Sequence, residues 1–207
     1  MNSHLYRDYY LVYQPEFWRG NIVSYEALLR KTSCEHCFPY HDFQQLSKER
    51  QKELTEYIAE HVYWVIQDIE KPISFNVSPS FLDKEMVGYI TTLSTYLPPY
   101  TLVMEIIEDS PPQSPQEQYI QSLYQGGVGI RIDDVTDQYG WDNLRFIEHI
   151  NIGFDIKVNM QNASQDLLPY LREHGTVIQE GDKADITNTE DIIQSFQLGK
   201  SVTYPNK

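Results

Sequence analysis

GVGIRIDDVTD, residues 127–137, runs through a short apolar stretch and stops on two adjacent acids, Asp133 and Asp134. It reads as a buried strand whose end carries both carboxylates. One buried carboxylate is costly and two neighbours repel, so a cation must sit between them or one must hold a proton. Just upstream, SPQEQYIQSLYQGG (114–127) reads as a helix. Ser114 and Glu117 form a capping box, Pro115 takes the first helical position, and a glycine pair ends the run.

The same alternation extends in both directions. Tyr9 to Gln14 and Ile22 to Glu26 are strand-like and joined only by PEFWRGN, a link that permits a hairpin and excludes a parallel crossover. A helical pattern follows over Phe43 to Ile69, with Leu54, Tyr57, Ile58, His61, Val62, Val65 and Ile69 on one face. ISFNVS alternates at the period of a strand, and SFLDKEMVGYITTLSTYL reads as its return helix. TLVMEIIE, GFDIKVN and TVIQE are further strands; WDNLRFIEHI, SQDLLPYLREHG and NTEDIIQSFQLG are further helices; KSVTY is a last short strand. Strands alternating with helices make a largely parallel sheet. Eight strand candidates predict an α/β fold of the modified (β/α)8 TIM-type barrel kind, over one domain spanning 1–207, with one antiparallel strand from the opening hairpin. Such barrels usually take about 250 residues, so at 207 residues some helices must be trimmed, the sixth above all. A doubly wound open sheet is the alternative, and no GxGxxG turn supports it.

The chain has 16 basic against 30 acidic side chains, a formal net charge of -14. That surface repels nucleic acid polymers and anionic membranes, which are excluded as partners. No apolar stretch approaches the roughly 20 residues that cross a bilayer, and the N-terminal MNSHLYRDYY has no signal-peptide core, so a cytoplasmic location is expected. Cys34 and Cys37, with His36 and His41 nearby, lack the second ligand pair of a zinc site and read as a loop.

Polar residues fall at one end of the strands. Glu26 closes the second, Asn76 lies in the third, Glu105 ends the fourth, Asp133 and Asp134 the fifth, Lys157 lies in the sixth and Glu180 ends the seventh. Any one of these acids alone reads as a helix cap or a solvated group. Six successive strands delivering such a residue to the rim where barrel enzymes collect their catalytic groups is a different matter. Five carboxylates cannot stay ionised together without cations. Hard oxygen donors without histidine suit Mg²⁺ or Mn²⁺, and a carboxylate shared by two ions is the arrangement used in phosphodiester hydrolysis.

With these residues in place, SYEALLR (24–30) resembles the signature of the EAL domain, the cyclic di-GMP phosphodiesterase family. The resemblance continues in order through YQPEFWRGNIVSYEALLR, FNVSPSFL, LVMEIIEDS, GIRIDDVTD, FDIKVN, VIQEGDK and LGKSVTYP. It implies that Glu26, Asn76, Glu105 and Asp133 hold a first metal and that Asp133, Asp134 and Glu180 hold a second. It further implies that Lys157 holds the nucleophilic water, with Glu26 and Glu180 beside it in the catalytic set. Arg30 would grip a substrate phosphate, Leu28 and Asn159 would line the substrate cleft, and Glu108 would steady the loop after the aspartates. The implied reaction opens cyclic di-GMP to linear pGpG with two Mg²⁺ or Mn²⁺ ions. Family members often dimerise beside that loop, so a homodimer is one expectation; a separate regulatory protein partner is another.

The chain departs from the family pattern at several positions. Asn159 stands where the family has aspartate, and Lys183 replaces the second glutamate of Glu-Gly-Val-Glu. Leu198-Gly199 replaces Gln-Gly before the last strand, and the loop after Asp134 lacks both of its usual glycines. Three readings stay open: a phosphodiesterase, a degenerate EAL domain that binds cyclic di-GMP or a protein partner without cleavage, and a glycosidase using two of the carboxylates. The glycosidase reading leaves the other three acids unexplained.

Overall fold

The computed structural model describes residues 8–32, 43, 45–107, 114–136, 141, 144–145, 149, 151–164, 166–181, 191–194 and 202–203. Glu108, Lys183, the CEHC stretch, Leu198-Gly199, the loop beyond Thr136 and most of the WDNLRFIEHI segment lie outside these residues.

The chain opens with a long hairpin, β1 (Tyr9–Trp18) and β2 (Asn21–Lys31). Both strands reach into the segment read as a link, because Arg19 (φ 49°) and Gly20 (φ 77°) alone make the turn. Positive φ at both central residues matches the twist of antiparallel strands. Next come α1 (Lys48–Ile69), β3 (Ile73–Val77), a 3₁₀ turn at Pro79–Phe81, α2 (Lys84–Ser94) and β4 (Leu102–Ile106). The order continues with α3 (Ser114–Gln125), β5 (Gly129–Val135), β6 (Asp155–Asn159), α4 (Leu167–Arg172), β7 (Thr176–Glu180), β8 (Ile192–Gln194) and β9 (Val202–Thr203). Capping side chains set two of the helix starts. Ser47 accepts from the Arg50 amide at the head of α1, and Asp83 accepts from Met86 at the head of α2, splitting off the 3₁₀ turn from the expected helix.

Strands β2 to β8 pair in sequence order, and β1 pairs antiparallel with both β8 and β2, closing an eight-strand barrel. β9 adds to the edge of β1 beside Val12 and Tyr13. As expected, the helix after the sixth strand is cut down: α4 has 6 residues. One expectation fails. NTEDIIQSFQLG reads as a helix, yet Ile192–Gln194 is the last stave of the barrel. A strand sends neighbouring side chains to opposite faces, and Ile193 goes to the apolar core while Gln194 goes to Glu26 inside the barrel. Asp191, just before, is clamped outside by Arg172 at 2.7 and 2.9 Å and by Gln179 at 2.6 Å.

Period-2 alternation splits the strands between two environments. Phe75, Val77, Met104, Ile106, Ile130, Ile132, Ile156 and Val158 form the apolar core with Leu54, Val62, Met86, Ile90, Ile120 and Leu171 of the helices. The alternate residues point into the barrel, where Val103 and Ile178 are apolar and most of the others are polar. Arg131, 2% exposed, pairs with Glu16 through both terminal nitrogens at 2.7 and 3.1 Å, donates to Ser74 at 2.8 Å and to Glu105 at 3.3 Å. Ser24 donates to the same Glu16. No helix among the described residues is long and apolar enough to cross a membrane.

Breaking a buried ion pair leaves an uncompensated charge, which costs about 3–5 kcal/mol. Arg131→Met is therefore expected to lower urea stability by that amount, because it strands Glu16. The double variant Glu16→Met with Arg131→Met should recover most of the loss, and equal loss in single and double variants would contradict the pairing.

Candidate functional site

Above the Arg131–Glu16 pair lies Lys157, 3% exposed, projecting from the middle of β6. Its ammonium is 2.6 Å from Glu105, 3.0 Å from Glu26, 3.3 Å from Asp133 and 3.7 Å from Glu180. These acids meet because parallel register from β3 to β8, and antiparallel register in the opening hairpin, align the strand ends. Asn76 stands opposite Glu105, Asn159 opposite Glu180, Glu180 opposite Gln194, and Glu26 opposite Gln14. Glu26 also accepts from Asn76 at 3.2 Å and from Gln194 at 2.6 Å.

The paired aspartates raise a geometric difficulty, since neighbours in a regular strand face opposite ways. The chain resolves it by bending. Asp134 takes φ 46°, in the left-handed region, and the β5–β6 register slips between Ile132 and Val135. Aspartate is one of the few residues with a side chain that tolerates this conformation. Both carboxylates then reach the rim: Asp133 accepts from the Asp134 amide at 2.9 Å, and Asp134 accepts from Asn159 at 3.4 Å.

The charges do not balance. Burial pushes Glu26 up to about 7, reinforced by Glu105 and Glu180 and opposed by Lys157. Burial likewise pushes Asp133 well above the usual carboxylate range, with Glu105 and Asp134 adding to it against Lys157, and raises Glu180. Glu105 goes the other way. Burial works against its charge, but Lys157 and Arg131 hold it at about 2. Lys157 loses solvation on burial, yet Asp133, Glu105, Glu26 and Glu180 drive it well above its ordinary value, so it is an ammonium.

This donor set suits a divalent cation. Oxygens of Asp133, Asp134 and Glu180 lie within 4.8 Å of one another. Two buried amide oxygens, Asn76 Oδ1 and Gln194 Oε1, accept no hydrogen bond. Unpartnered buried oxygens beside excess carboxylate are what a hard cation takes up. Of the other expected group, Glu26, Glu105 and Asp133 lie within 3.3 Å of the Lys157 ammonium, and Asn76 joins them through Glu26. Glu26, Leu28, Arg30, Asn76, Asp133, Asp134, Lys157 and Glu180 all line one cavity of about 900 Å³. Glu105 sits fully buried beneath it, and Asn159 reaches it through Asp134.

The sequence reading missed Gln14, Glu16, Ser74, Arg131 and Gln194. The signal for two was present: Ser74 lies two residues before Asn76 and Arg131 two before Asp133, so each shares the face of a predicted site residue. Among the described residues, Gln194 on the closing stave is a glutamine that reaches the site, donating to Glu26 at 2.6 Å.

The sequence profile of the EAL domain family matches residues 5–166. No protein with a curated description matches the sequence. Among solved structures, the PaMucR phosphodiesterase in complex with c-di-GMP is similar with a TM-score of 0.75 and 20% identity, over 95% of this chain and 98% of that one. Bacillus subtilis YkuI, in complex with substrate c-di-GMP and calcium, is similar with a TM-score of 0.75 and 17% identity, over 97% of this chain and 56% of that one. Klebsiella pneumoniae BlrP1, in a manganese and c-di-GMP complex, is similar with a TM-score of 0.70 and 16% identity, over 92% of this chain and 55% of that one. The chain thus spans just over half the length of YkuI and BlrP1.

Glu26 ionises near 4.5 when unfolded but near 7 when folded, so the folded state keeps a proton the unfolded chain has lost. Stability without metal is therefore expected to fall as pH rises from about 4.5 to 7. Glu26→Gln should flatten that slope in urea titrations at pH 5 and pH 8. Added Mn²⁺ should stabilise the unmodified protein more at pH 8, where the ligand is deprotonated. A slope unchanged by the substitution would refute the assignment.

Proposed function

The chain belongs to the EAL domain family, and from that premise we propose that it hydrolyses cyclic di-GMP to linear pGpG with two divalent ions, Mg²⁺ or Mn²⁺. The observation that carries this reading is the convergence of Glu26, Glu105, Asp133 and Glu180 on one buried ammonium at the floor of a 900 Å³ cavity. An acidic cleft attracts a dianionic substrate only when cations offset it, and the raised carboxylates are the sign of an unmet demand for them.

In this reading Glu26, Asn76, Glu105 and Asp133 hold one ion, and Asp133, Asp134 and Glu180 the other. When bound, such ions lower the pKa of water and neutralise charge on the phosphate. Lys157 cannot be a base, since its neighbours keep it protonated; it orients the attacking water and donates to the developing phosphate charge. Asn159 can donate but not take a proton. The proton from the water therefore passes to a rim carboxylate. As the water oxygen bonds to phosphorus the P–O3′ bond breaks, and the 3′ oxygen leaves as a hydroxyl after taking up a proton. Arg30 and Leu28, both on the cavity wall, would meet the phosphate and base.

A second reading, binding without cleavage, is favoured by one observation: Asn159 presents an amide to Asp134 where the family pattern has a carboxylate. One experiment separates the two. Purified protein with cyclic di-GMP should release pGpG on chromatography in Mn²⁺ or Mg²⁺, release none in chelator, and lose activity at least a thousandfold in Glu26→Ala, taking about 4 kcal/mol of lost transition-state stabilisation as the guide. Binding without product in either metal would leave the second reading standing.

A further inference from the structure

We propose that Phe81, backed by Phe43, is the stacking platform for one nucleobase of the substrate; this rests on the cyclic dinucleotide reading above. They are the two aromatic side chains on the cavity wall among the described residues. Phe81 comes five residues after Asn76, on a backbone that is locked. Ser78 Oγ accepts from the Ser80 amide at 3.2 Å, the Phe81 amide donates to Ser78 at 3.0 Å, and the Leu82 amide donates to Pro79 at 3.1 Å. Leu82, 3% exposed, pins the far end of this turn in the core. The ring is thereby fixed relative to Asn76 and the acids beside it.

Phe43 lines the same cavity beside Phe81. Its carbonyl accepts from Gln51 Nε2 at 2.7 Å and from the Leu46 amide at 3.1 Å, tying it to the start of α1. The two rings lie 6.2 Å apart at 60°, a tilt that does not stack one upon the other. Phe43 packs against the apolar core, whereas the half-buried Phe81 is not among the residues of that cluster. A large apolar ring held rigidly on the wall of an acidic cavity, without a place in the core, has hydrophobic surface left to cover. A planar base covers it by stacking, an interaction tolerant of base identity. The cavity also has the size for a ligand with two bases, one of which can lie on this wall while a phosphate lies over the carboxylates.

The test is calorimetric titration of cyclic di-GMP into the full chain in calcium, with Phe81→Ala, Phe81→Leu and Phe81→Trp beside the unmodified protein. Phe81→Ala is expected to weaken binding about tenfold to a hundredfold, Phe81→Leu to recover little, and Phe81→Trp to restore it, with calcium affinity equal in all four. Equal dinucleotide affinity in Phe81→Ala, or full recovery by Phe81→Leu, would overturn the platform and leave the dinucleotide reading intact. No binding by the unmodified protein would overturn that reading, and the platform with it.

Discussion

Glu105 is held between two buried cations, with Lys157 at 2.6 Å above it and Arg131 at 3.3 Å below. Around this carboxylate the interior of the barrel is organised as a column of alternating charge, from Glu16 through Arg131, Glu105 and Lys157 to Glu26, Asp133 and Glu180. Burying any one of these alone would be prohibitive, and each is tolerable because the next offsets it. The column runs out of cations at the rim. There several carboxylates share a single ammonium, and Glu26, Asp133 and Glu180 all stay above their ordinary range. A barrel whose floor is neutral and whose rim is short of positive charge is left with carboxylates that burial holds above their ordinary range.

The fold bears the cost of this arrangement in its backbone. Asp134 bends into the left-handed region so that two adjacent carboxylates face one site, and β5 slips against β6 to allow it. Strain of this sort, of order 1–3 kcal/mol, persists only where the surroundings enforce it. Here β5 is tethered by Arg131 on the same face, two residues before Asp133. The pair that neutralises the barrel floor also anchors the strand that carries the bend.

Closure of the barrel is equally a matter of charge and hydrogen bonding. Its last stave, β8, has 3 residues, too few to hold itself by backbone pairing. Side chains on both faces secure it: Gln194 reaches Glu26 inside, and Asp191 is bound by Arg172 and Gln179 outside. The opening hairpin and the closing stave thereby meet at Glu26, which has one oxygen toward Asn76 and the other toward Gln194 and Lys157. A carboxylate so placed reports on the integrity of the barrel and on the state of the site at once.

Strand positions and their polar ends were legible in the sequence because both are local. Alternation at period 2 marks a strand, and a run that ends on Asn76, Glu105 or Asp133 marks its rim end wherever the chain goes next. The antiparallel entry strand followed from a link too short for a crossover. What the sequence could not decide was partnership across the barrel. Glu16 and Arg131 are 115 residues apart, and Glu26 and Gln194 are 168 apart. Such pairs exist only once register and closure bring their strands together. The helix read over NTEDIIQSFQLG fails for the same reason, since three residues carry no period and only the open edge between β7 and β1 makes a strand of them. The residue types around the site were thus set by local pattern, while their charges, bends and contacts were decided by the tertiary structure, because electrostatics in a closed barrel depends on distance in space and not along the chain.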